Sequence, residues 1–150
     1  MFGLRKFRGE KAMEARLDWY RRATTHYAKL KWDIEVARTF TDEGGEDWGR
    51  HWIRVREEGY IPLTLLEVEA RFFASPTAVE AVARLGDAFD MVSDQTGCFE
   101  PASLEQDQNL SAAVALRETL DETMETLAQD VRRQLRFENL PAKKVESAGP

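Results

Sequence analysis

The sequence predicts an all-α protein, an antiparallel helical bundle of four to five helices with long first and last helices. Three observations predict it. Apolar residues return every three or four positions through most of the 150 residues. Alternating runs of Val, Ile and Thr, the mark of strands, do not occur. Gly, Pro and capping residues divide the periodic stretches into segments of helical length.

The first helix is predicted over Gly9–Phe40. Met13, Leu17, Tyr20, Thr24, Tyr27, Leu30, Ile34 and Ala37 form one stripe, and Trp19, Ala23, Trp32, Val36 and Phe40 widen it. Thr41-Asp42-Glu43-Gly44-Gly45 ends it. A second helix is expected from Glu46 to Gly59, with Trp48, Trp52 and Val55 on one face. Glu46, Arg50, Arg54 and Glu58 form a ladder of possible ion pairs four apart. Pro62 is read as the first-turn proline of a third helix, Pro62–Ala74, with Leu63, Leu66, Ala70 and Phe73 on its buried side. One helix kinked at Gly59–Pro62 is the alternative.

Ser75-Pro76 signals the next start, Ser as cap and Pro at the first helical position. That helix runs to Ser93 on Val79, Val82, Ala83, Leu85, Ala88, Phe89 and Val92. The last helix starts at Ser103 or Ser111. Val114, Leu116, Leu120, Met124, Leu127, Val131 and Leu135 carry its stripe to Phe137, and Pro141 is expected to stop it. Residues 1–140 then make one bundle domain and 141–150 a flexible polar tail.

Charge is uneven along the chain. Residues 1–38 carry ten Lys/Arg and five Asp/Glu, whereas residues 87–130 carry eleven Asp/Glu and only Arg117. The first and last helices therefore attract one another. Exposed ion pairs contribute only about 0–1 kcal/mol each, so burial of the stripes must supply the stability. The net charge of −6 disfavours nucleic acid as a partner. The acidic stretch from Asp87 to Asp130 could instead mimic it.

No motif for catalysis stands out. P-loop, Rossmann and nucleophile-elbow patterns are missing. The lone Cys98 has no histidine nearby in sequence, and as the single cysteine it cannot form an internal disulfide. Ala23 and Trp48 occupy the positions three before His26 and His51, where a di-iron Glu would stand. No metal or other cofactor is expected.

The leading expectation is a non-enzymatic helical protein–protein interaction or assembly module, with homodimerisation through a coiled-coil-like seam on the last helix as one form of it. A second is an accessory protein docked on an anionic membrane surface through Phe2, Leu4, Arg5, Lys6, Phe7 and Arg8. A third is a small-ligand or enzyme bundle with a pocket around Trp48, His51, Trp52, Tyr60 and Glu67. Without a signal peptide or a span of membrane-crossing length, the expected location is cytoplasmic, with the membrane periphery as the variant.

Overall fold

The computed structural model describes residues 2–43, 48–95 and 106–147, with side chains described over 8–39, 50–92, 111 and 113–136. The described chain is all-helical. Its helices are α1 (Phe2–Glu43), α2 (Trp48–Phe73), α3 (Pro76–Gln95) and α4 (Gln106–Ser147). Ala74 and Ser75 are the described residues outside them. Among the described residues α1 packs on α2 and α4, and α3 packs on the same two helices.

The partners run in opposite sequence order. Along α1, Tyr20 meets Asp130, Lys31 meets Asp121 and Glu35 meets Arg117 on α4. Arg22 meets Glu69 and Lys29 meets Glu58 on α2. At 1.5 Å per residue α1 and α4 are each about 63 Å long, against about 39 Å for α2. Tyr20 already reaches the α2–α3 junction at Ser75. The start of α1 therefore extends past that junction, and residues 8–12 are exposed.

The core follows the predicted stripes. Tyr20, Tyr27, Leu30, Ile34 and Ala37 are buried on α1, and Trp19 and Ala23 join them. Leu63, Leu66 and Ala70 are buried on α2, Val82, Leu85, Phe89 and Val92 on α3, and Leu116, Leu120 and Leu127 on α4. Trp19 donates its indole N–H to the Leu66 carbonyl at 3.2 Å, which fixes α1 on α2. Thr24 is exposed, and Trp32 is 70 % exposed; both fall off the buried stripe.

Several predicted boundaries differ from the structure: α1 runs past Phe40 to Glu43 and α3 past Ser93 to Gln95, and three differences are larger. The second and third predicted helices are one, as the alternative of a single helix across Gly59–Pro62 had it, with Pro62 inside it. Pro62 removes the hydrogen bond its N–H would give the Glu58 carbonyl, and its ring crowds that carbonyl. Packing of α2 on α1 and α3 outweighs that loss. α1 begins at Phe2 rather than Gly9. α4 continues through Pro141 to Ser147 rather than stopping.

Candidate interaction face

A buried polar junction locks three helices together. Asp130, only 3 % exposed, accepts hydrogen bonds at Oδ2 from the Tyr20 hydroxyl (3.2 Å) and from Ser75 Oγ. The Tyr20 oxygen in turn accepts from the Ser75 backbone N–H at 3.1 Å. Ser75 Oγ also accepts from the Ala78 N–H at 3.1 Å, the N-cap bond of α3. Burial raises the Tyr20 hydroxyl above its ordinary pKa, and the Asp130 charge adds to this, while the hydrogen bonds from Ser75 oppose it. The tyrosine stays a neutral donor. Asp130 Oδ2, the Tyr20 hydroxyl and Ser75 Oγ are all engaged, and Arg133 stands 4.0 Å from Asp130 Oδ1, so the junction ties the three helices together. Asp130 thus belongs to the interior and not to an acidic surface.

Four other buried polar atoms have no hydrogen-bond partner among the described residues: His26 Nε2, the Tyr27 hydroxyl, Arg117 Nε and Gln134 Oε1. Burial lowers the His26 pKa, assisted by Lys29 and opposed by a backbone hydrogen bond to Gly59. Burial, with the charge of Glu67, pushes Tyr27 up. Glu67 is itself raised, first by burial and then by Asp87, against the opposing charge of Arg71.

The residues proposed from sequence as a ligand pocket are dispersed along α2. Trp52 is 3 % exposed in the core, Tyr60 is 53 % exposed, and Glu67 lies beside Gly86 of α3. Because α2 is continuous, His51 and Glu67 stand about 24 Å apart along its axis, far beyond shared contact with one small ligand. The side chains of Trp48 and of Phe2, Leu4, Arg5, Lys6 and Phe7 lie outside the described residues, as does Cys98; Arg8 is exposed. No group of three or more His, Cys, Asp or Glu able to hold a metal occurs among the described residues. None of their helices is long and apolar enough to cross a membrane.

A groove of about 440 Å³ separates α1 from α4 over Leu17, Tyr20, Thr24, Ala128 and Val131. The arginines at its rim are engaged, Arg21 with Asp18 at 2.7 Å and Arg132 with Glu125 at 3.7 Å. Its floor is apolar and its cations are neutralised, so it carries no charge to recognise a ligand.

The feature the sequence reading missed lies on the outer side of α2. Ile61 (64 %), Leu65 (55 %), Val68 (50 %) and Phe72 (76 %) are exposed, and Tyr60 flanks them. Their spacing of four, three and four places them within an arc of about 60° on the helix, opposite Leu63, Leu66 and Ala70. From Ile61 to Phe73 α2 is therefore apolar on both sides. The outward stripe was hidden because the continuous apolar run was assigned only one buried face. On α4, where the seam was expected, Leu116, Leu120 and Leu127 are fully buried, Val114, Met124 and Val131 are half-buried, and Leu135 is 43 % exposed. No protein-family model, curated protein or solved structure matches this chain.

Proposed function

We propose that this chain is an antiparallel helical bundle serving as a non-enzymatic protein–protein interaction or assembly module, and that it docks through the outer face of α2. One observation carries the reading: Ile61, Leu65, Val68 and Phe72 form a continuous exposed stripe on a helix whose other side is already in the core. A helix face that is apolar and unpaired is suited to burial against a further partner. Contiguous exposed apolar patches of several hundred Å² mark contact sites. The reversed order of contacts between neighbouring helices supports the bundle arrangement. The Tyr20–Ser75–Asp130 junction supports a structural use of buried polar groups.

Site-specific photocross-linking in cells tests the reading. A cross-linker replacing Leu65 is expected to yield a protein adduct. One replacing Ala28, exposed on α1 outside the groove-lining residues, is expected to yield none. Absence of any adduct from position 65 would remove the support for a docking face.

A further inference from the structure

We infer that the partner covering the α2 stripe is a second copy of this chain, with α2 lying antiparallel on its counterpart. This rests on the docking role proposed for that face. The spacing of Ile61, Leu65, Val68 and Phe72 is that of a coiled-coil seam. It is also palindromic: four, three, four reads the same in either direction. An antiparallel copy therefore meets it layer for layer, Ile61 against Phe72 of the partner subunit and Leu65 against Val68 of the partner subunit. Each layer joins a β-branched side chain, Ile61 or Val68, to a γ-branched or aromatic one, Leu65 or Phe72, so no layer sets two β-branched or two aromatic side chains against each other.

Charge selects this direction over the parallel one. Continued toward the helix start, the same seam reaches Glu58 and then Arg54, which pair with each other at 3.0 Å. A parallel copy would set glutamate on glutamate and arginine on arginine within the seam, which is unfavourable. An antiparallel copy places both residues beyond the partner's Phe72, past the end of the facing α2. Two carboxylates beside the stripe are already engaged, Glu69 with Arg22 at 2.7 Å and Glu58 with Lys29 at 2.8 Å.

The area fits a modest dimer. Five side chains of on the order of 200 Å² each, exposed by half to three quarters, offer roughly 600 Å² per copy. A standard interface buries about 800 Å² per partner. The area is below that of a standard interface, so the expected association is weak and concentration-dependent.

Light scattering should give twice the 17.2 kDa chain mass at several hundred micromolar, falling toward 17.2 kDa on dilution. Leu65→Glu should raise the concentration needed at least tenfold with an unchanged helical circular-dichroism spectrum. Direction is read in a Cys98→Ser background with a short thiol cross-linker. Ile61→Cys and Phe72→Cys preparations should each stay uncross-linked alone and join when mixed. Efficient cross-linking of each variant with itself would overturn the antiparallel pairing. A monomeric wild-type chain at every concentration, with no cross-linking in the mixture, would overturn self-association. In that case an adduct of different mass from position 65 in cells would leave the docking face standing with another partner. No adduct at all would remove both.

Discussion

Asp130 shows how much one side chain can hold in place. It accepts from Tyr20 on α1 and from Ser75 at the α2–α3 junction, while itself standing on α4. Removing one partner leaves buried polar groups without hydrogen bonds, which costs more than the bond contributes when made. Asp130→Ala is expected to lower stability by about 2–4 kcal/mol and Tyr20→Phe by about 1–2 kcal/mol, read from urea unfolding midpoints. The sequence announced half of this junction. Ser75-Pro76 is a local capping signal and was legible. The Asp130 contact spans 55 residues from Ser75 and 110 from Tyr20, and no local pattern separates a buried aspartate from a solvated one. His26 adds a pH effect. Its folded pKa is depressed by burial and Lys29, so its neutral form suits the fold. The associated stability is present above the unfolded histidine pKa and is lost as pH falls through the folded value. Between neutral pH and mild acid the unfolding midpoint of the wild type should drop more than that of His26→Gln.

At the scale of the element, α2 is held by two close approaches that use glycine differently. A Cβ on Gly59 would stand 3.2 Å from Leu30 Cδ1 and 3.2 Å from Cε2 and Cζ of Phe89. Both neighbours are buried, so Gly59 lets α1 and α3 close on α2 at one level. Gly59→Val should overpack this point and cost about 1–3 kcal/mol in urea unfolding. Gly86 also faces a short contact, 2.7 Å to Glu67 Oε2, but that oxygen ends a flexible, partly exposed side chain. Gly86→Ala should displace the carboxylate and gain helix propensity, leaving thermal stability unchanged or raised by up to about 1 kcal/mol. Gly59 and Pro62 also explain the misread boundary. Locally they look like a helix end and a helix start. In three dimensions the glycine is a contact point, and the proline removes one hydrogen bond and crowds a carbonyl within a helix packed on both neighbours. Helical periodicity located the core residues on either side correctly because core burial depends on spacing and not on boundaries.

At the scale of the whole molecule, adjacent residues on α2 serve different ends. Leu66 is 5 % exposed within the core, whereas its neighbour Leu65 is 55 % exposed on the outer stripe. Leu66→Ala should cost about 2–5 kcal/mol at any protein concentration, because it leaves a cavity in each copy. Leu65→Ala should change the stability of a dilute monomer by no more than about 0.5 kcal/mol, as expected of an exposed site. Association stabilises the folded state by mass action, so the wild-type melting temperature should rise with protein concentration. Leu65→Ala should flatten that rise while leaving the dilute value in place. Leu66→Ala should shift the whole curve downward, and any remaining slope would still come from the stripe. A pair of melting series over a hundredfold concentration range thus separates what holds one chain together from what joins two. A Leu65→Ala series as steep as the wild type would mean that the stripe contributes nothing to assembly.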